Sequence, residues 1–298
     1  MRRQFCDSMV QRAAAGDMVF LTGDVGFMAL EPLAAALGRR FLNAGVAEQN
    51  MIGVAAGLAR EGWRPWAYSI APFLYARPFE QLRNDVSLHR LPVALVGNGG
   101  GYGYGVMGAT HHALEDYGVL LALGGIRVIV PAFEADVMEA VVRILDYPGP
   151  CYLRLGVDEA PAGFRRPRLE AWRKLAAGPS GTLVACGPLV GGLLTHIDEL
   201  PDSRRPNLWL VSELPIGDPP PAFLADVEAT GHLLVAEEHV ASGGLGERLA
   251  RDLLLRGLAP RRFTHRHARG YPSGRYGSQA YHRRECGLDA ASLLTALG

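Results

Sequence analysis

The chain has 298 residues, 49% of them hydrophobic and 20% charged, which suffices for two domains with cores of their own. Acidic and basic residues balance at 30 each, so no global field attracts nucleic acid or an anionic membrane, and neither is expected as a partner. Lys174 is the only lysine and falls in an arginine-rich stretch that reads as a linker, so Schiff-base chemistry, which needs a desolvated lysine in a pocket, is close to excluded.

Met1-Arg2-Arg3 is followed by polar residues, so no signal peptide is expected, and no apolar run approaches the length of a membrane span. Residues 4–15 have helical spacing; Met18–Leu21 and Phe41–Asn43 read as short strands, and Glu48–Arg60 as a helix. Trp66–Ile70, Pro92–Gly97, Ile126–Val130 and Tyr152–Leu155 read as buried strands, with amphipathic helices at Phe79–His89 and Ala135–Leu145. Apolar strands alternating with helices predict a mainly parallel sheet covered on both faces. Residues 158–179, with Pro161, Pro167 and Pro179 among the arginines, read as a connection between domains. A second alternating block follows, with strands at Thr182–Cys186, Leu208–Ser212, His232–Glu237 and Arg262–His265 and a helix at Gly246–Leu255. The expected fold is α/β, two domains over 1–157 and 180–298, each a mainly parallel sheet flanked by helices. The four cysteines match no zinc or redox spacing and read as reduced thiols, which points to a cytoplasmic protein.

The segment Asn43-Ala44-Gly45-Val46-Ala47-Glu48-Gln49-Asn50 ends a strand, turns, and opens a helix with a carboxylate among apolar groups. Partial desolvation there would raise the pKa of Glu48 and let it hold a proton near neutrality. A helix-capping carboxylate is the alternative. Downstream lie Tyr68-Ser69-Ile70-Ala71-Pro72-Phe73-Leu74, a glycine run from Gly97 to Gly105, and Gly108-Ala109-Thr110-His111-His112-Ala113-Leu114-Glu115-Asp116. The glycine run has no Walker lysine and fits no dinucleotide fingerprint. The second block carries Glu237-Glu238-His239 and Gly243-Gly244-Leu245-Gly246. Adjacent residues do not share a face, so Glu237, Glu238 and His239 are not read as a metal site. His265, His267 and His282 read as a polar, solvated tail.

In order and spacing these segments resemble the transketolase family, over its pyrimidine-binding and C-terminal domains. The resemblance implies that thiamine diphosphate is the cofactor and that Glu48 hydrogen-bonds N1′ of its aminopyrimidine, favouring the 4′-imino tautomer that deprotonates C2. It implies that Phe73 stacks on the pyrimidine, with Tyr75 open as the alternative, and that His111 contacts substrate and stabilises the intermediate, with His112 structural. Arg154 matches an arginine that binds substrate phosphate in the family. Asp24 lies where the family has a strand-end aspartate near the cofactor, although a turn-forming aspartate fits it as well. Met107 and Gly99 stand where sugar-phosphate transketolases carry a substrate-binding aspartate and histidine. The family's Gly-Asp-Gly…Asn pair, which holds Mg²⁺ and the diphosphate, has no match here. The resemblance therefore implies an N-terminal diphosphate-binding partner subunit that holds Mg²⁺, in an α2β2 heterotetramer, with no metal ligands on this chain. The implied reaction is transfer of a two-carbon ketol unit from a ketose to an aldehyde. Decarboxylating acyl transfer from pyruvate, as in deoxyxylulose-phosphate synthase, is one alternative. A non-catalytic scaffold or regulatory subunit is another.

Overall fold

In the computed structural model, which describes residues 1–14 and 16–298, two sheets organise the chain. The first contains β1 (Met18–Thr22), β2 (Phe41–Asn43), β3 (Arg64–Ile70), β4 (Ala94–Asn98), β5 (Arg127–Ile129) and β6 (Cys151–Leu155), all parallel. Its helices are α1 (Arg2–Arg12), α2 (Glu31–Leu37), α3 (Glu48–Arg60), α4 (Ala71–Tyr75), α5 (Phe79–Gln81), α6 (Asp116–Ala122) and α7 (Asp136–Leu145). Side chains alternate across the sheet because the strand period is two residues. Met18, Phe20, Trp66, Tyr68 and Val96 face α1, α2 and α7, whereas Val19, Leu21, Ala67 and Leu95 face α3, α4 and α6. Both faces are thus buried, which accounts for the continuous apolar runs in the sequence.

The second sheet contains β7 (Trp172–Ala176), β8 (Thr182–Cys186), β9 (Asn207–Val211), β11 (His232–Glu237) and β12 (Arg262–His267), in the order β12-β11-β8-β9-β7 with only β7 antiparallel. The short strand β10 (Glu213–Leu214) crosses back and pairs antiparallel with β5, so the first sheet runs β10-β5-β6-β4-β3-β1-β2. Helices α8 (Val190–Asp198), α9 (Pro221–Thr230), α10 (Leu245–Leu255), α11 (Gln279–Cys286) and α12 (Ala290–Leu297) complete the chain. The expected class, two mainly parallel sheets flanked by helices, is the one observed.

Four local expectations are corrected. The connection expected over 158–179 contains β7, because antiparallel pairing with β9 recruits Trp172–Ala176, and Lys174 there pairs with Asp226 at 2.7 Å. Arg166 and Arg173 are not linker charges either; both bind Asp136 at the start of α7. The helix expected over Phe79–His89 starts as α5 and widens into a π-helix at Leu82–Ser87, with Leu88 N bonding Arg83 O at 3.1 Å. The solvated tail is not solvated at His282, which is fully buried and stacks on Tyr102 at 4.7 Å. The helix expected over 4–15 ends at Arg12, and its Ala15 lies outside the described residues. All four cysteines are buried free thiols.

Candidate active site

The chain passes from β1 to β2 on one side of the first sheet and returns to β3 on the other, so strand order reverses at the β1/β3 boundary. In open α/β sheets, ligands bind outside the carboxyl ends of the strands at such a switch point. Three groups converge there. A Cβ on Gly23, just past β1, would stand 3.3 Å from Ser69 Oγ and 3.5 Å from Glu48 Oε1. Glu48 opens α3, and its side chain is only 2% exposed. Ser69, at the end of β3, is fully buried, and its hydroxyl has no hydrogen-bond partner among the described residues.

Glu48 is buried as its apolar flanks predict, but it is not alone. Arg77 Nη1 donates to Glu48 Oε1 over 2.7 Å, and this guanidinium compensates the buried negative charge. The same guanidinium carbon stands 3.8 Å above the ring of Phe73. Phe73 in turn meets the ring of His111 edge-on at 5.2 Å, and His111 lies 5.7 Å from Tyr104. The structure therefore joins Glu48, Phe73 and His111 through one arginine. His111 Nδ1 is hydrogen-bonded to Thr110 Oγ1 at 2.9 Å, which leaves Nε2 for a ligand. Tyr75, the alternative to Phe73, is buried and donates to Glu115 at 3.1 Å, and burial pushes its phenol well above the ordinary value. It is a core residue.

Asp24 is exposed, in the left-handed region at φ 58°, and accepts from Asn43 Nδ2 at 2.8 Å. Asn43 also accepts from Gly45 N at 2.9 Å, so the pair braces the turn that leads to Glu48. Asp24 lines a separate small cavity with Thr22, Phe27 and Phe41.

Arg154 departs from its expected role. It is 3% exposed, pairs with Asp116 through Nε at 2.8 Å, and donates through Nη2 to Ala113 O and Glu238 O at 2.8 and 2.9 Å. No fork remains open for a substrate phosphate. It serves instead to join the two sheets. Glu238 completes that seam by accepting from Tyr102 N at 2.6 Å, Gln279 Nε2 at 2.9 Å and Arg283 Nε at 2.6 Å. The glycine run now has its reason. A Cβ at Gly100 would lie 2.6 Å from Arg154, and one at Gly101, with φ +64°, would lie 2.5 Å from Glu238.

The remaining signature residues are structural. Glu237 caps α10 by accepting from Leu245 N and Gly246 N at 2.7 and 2.8 Å, and it also binds Tyr117 and His265. His239 stacks on Tyr117 at 3.8 Å. His112 is buried between Tyr271 and the Gly105 carbonyl, each at 2.8 Å, in the structural role expected of it.

Sequence reasoning missed Arg77, Tyr104, Asn98 and Ser69. Tyr104 covers Gly99, so no side chain fits at that position, and its hydroxyl accepts from Asn98 Nδ2 at 2.8 Å. The available signal was the glycine itself, since a residue stripped of its side chain beside an aromatic marks close approach. Around the site, Phe27, Met28, Val46 and Val106 are 83%, 81%, 73% and 72% exposed. Phe27, Met28 and Val46 follow β1 and β2, and Val106 sits on a short 3-10 turn (Gly105–Met107) after β4, so each exposed apolar side chain follows the carboxyl end of a strand.

These residues suit an aminopyrimidine. A buried carboxyl group can share a proton with a ring nitrogen, Phe73 offers a face, Ser69 an unused hydroxyl, and Gly23 a floor without a side chain.

Comparison with known proteins bears on the same region. Residues 13–161 match the family model of the transketolase pyrimidine binding domain. The chain is 30% identical over 256 residues to an apulose-4-phosphate transketolase subunit of Phocaeicola vulgatus, covering 82% of this chain and 80% of that one. It is 34% identical over 274 residues to 1-deoxy-D-xylulose-5-phosphate synthase 2 of Geobacter sulfurreducens, covering 85% of this chain but 41% of that longer one. A solved structure described as a split gene transketolase, inactive beta4 tetramer, superposes with a TM-score of 0.81 at 27% identity, covering 99% of this chain and 96% of that one.

Proposed function

Because this chain belongs to the transketolase family, we propose that it is the pyrimidine-binding component of a two-component, thiamine-diphosphate-dependent transketolase that moves a two-carbon ketol unit from a ketose to an aldehyde. The observation that carries the reading is the Glu48–Arg77–Phe73–His111 cluster at the strand-order switch point.

When bound, the cofactor supplies the carbon nucleophile of the reaction. Glu48 would share a proton with the ring nitrogen of the pyrimidine and so set its protonation. Phe73 holds the ring by stacking. His111, with Nδ1 engaged by Thr110, presents Nε2 to substrate oxygens and stabilises developing negative charge. Asp24 and Asn43 hold the approach to Glu48 in shape. Arg154 supports the site from behind and contacts no ligand.

The diphosphate and Mg²⁺ are assigned to an N-terminal subunit, and the assembly to an α2β2 heterotetramer in the cytoplasm. Phe27, Met28, Val46 and Val106, each an exposed apolar side chain, are groups that subunit would cover. Among the described residues no helix is long and apolar enough to cross a membrane. Tyr104, packed over Gly99, places a neutral phenol 5.7 Å from His111, which favours an acceptor recognised through hydroxyls in a specialised sugar pathway. The match to an apulose-4-phosphate transketolase subunit supports ketol transfer over pyruvate decarboxylation.

The test is reconstitution with a diphosphate-binding subunit and a panel of ketose donors and aldehyde acceptors, with products read by mass spectrometry. We expect thiamine-dependent ketol transfer that falls about 10²–10⁴-fold in Glu48→Gln with the assembly intact. Near-normal turnover in that variant would remove Glu48 from the mechanism.

A further inference from the structure

Arg77 does two things at once, and both engage groups of the proposed cofactor site. Its guanidinium donates to the carboxylate of Glu48 at 2.7 Å and lies 3.8 Å above the ring of Phe73. A guanidinium is planar and cationic, offers N–H donors from its edge, and stacks flat on aromatic rings. These are the properties by which a protonated aminopyrimidine would engage the same two residues. The rest of the geometry is that of a displaceable group. Arg77 is 41% exposed whereas Glu48 is 2% exposed, so the arginine lies between the carboxylate and solvent. It stands on the short turn between α4 and α5, where its backbone carbonyl accepts a long 3.3 Å bond from Gln49 Nε2. Arg154, by contrast, is held by Asp116 and two carbonyl oxygens and has no comparable freedom.

We propose that Arg77 is an internal placeholder for the pyrimidine: in the chain without cofactor its guanidinium occupies the Glu48 carboxylate and the Phe73 face, and it must swing out before an aminopyrimidine can bind. The proposal rests on the cofactor reading given above. It follows that cofactor and arginine compete for one carboxylate oxygen and one ring face. The arginine neutralises Glu48 while the site waits, and it reduces the apparent affinity of the lone chain to the intrinsic value multiplied by the fraction of time it spends swung out. Swung outward, its already half-exposed guanidinium passes fully to solvent and frees Glu48.

The experiment uses the whole chain and the free aminopyrimidine, 4-amino-5-hydroxymethyl-2-methylpyrimidine, titrated by ligand-observed NMR. Arg77→Met retains the length of the side chain and removes the charge and the planar donors. It should bind the probe at least about tenfold tighter than the native chain, equivalent to about 1.4 kcal/mol. Arg77→Lys keeps the charge without the flat stack and should fall between them. Equal or weaker binding by a folded Arg77→Met would overturn the proposal and leave Arg77 as a residue that positions Glu48. A second readout does not depend on that variant. In the native chain the Arg77 guanidinium resonances should carry a ring-current shift that disappears in Phe73→Leu and on saturation with the probe. Persistence of that shift at saturation would likewise overturn it. If no variant binds the probe while the assembled enzyme still binds thiamine diphosphate, only the placeholder fails. If the assembly does not bind it either, the cofactor reading fails with it.

Discussion

The mouth of the first sheet and the seam between the two sheets use the same residue types to opposite ends. At the seam, Arg154, Glu238 and His112 are buried, and each is engaged by two or more fixed partners. At the mouth, Arg77 is half exposed, Glu48 has one removable partner, and His111 keeps a ring nitrogen for a ligand. Residue type alone does not separate a structural arginine, glutamate or histidine from a functional one. The separation lies in whether its hydrogen-bonding capacity is already consumed.

The largest effect is expected at the seam. Arg154→Ala leaves Asp116 buried and uncompensated, and it should cost about 3–5 kcal/mol of stability, read as a lowered urea midpoint. Arg154→Ala with native stability but lost substrate affinity would return Arg154 to the substrate site.

A smaller effect appears with pH. Burial pushes His112 and His239 below the ordinary histidine value of 6.5. The unfolded chain therefore binds more protons than the folded one below about pH 6.5, and stability falls as pH drops through that value towards the depressed folded ones. Urea midpoints at pH 7.5 and 5.5 should show this loss, and His112→Gln should reduce the difference. An unchanged difference would show that His112 is not among the groups responsible.

Much of the fold was legible because the strands of the first sheet are buried on both faces and their apolar runs announce themselves. The order of Glu48, Phe73 and His111 was legible too, because the segments around them are local. What escaped was long-range. Glu238 meets Tyr102 across 136 positions and Arg154 meets Glu238 across 84, so neither could be seen as consumed from its neighbours in sequence. His282 looked solvated because its neighbours are polar, yet Tyr102, from the glycine run, covers it. Lys174 looked like a linker charge because an antiparallel edge strand depends on a partner more than thirty residues away. Arg77 carries no local signal, because only the fold brings Glu48 beneath it.

The mouth of the first sheet is proposed as half of a site, completed by a second polypeptide. That proposal is tested most directly by titrating thiamine diphosphate with Mg²⁺ into the chain alone and into the chain assembled with its diphosphate-binding partner, using calorimetry. Tight, saturable binding is expected in the assembly, and at least about a hundredfold weaker binding, about 2.7 kcal/mol, by the chain alone. Equally tight binding by the chain alone would contradict it.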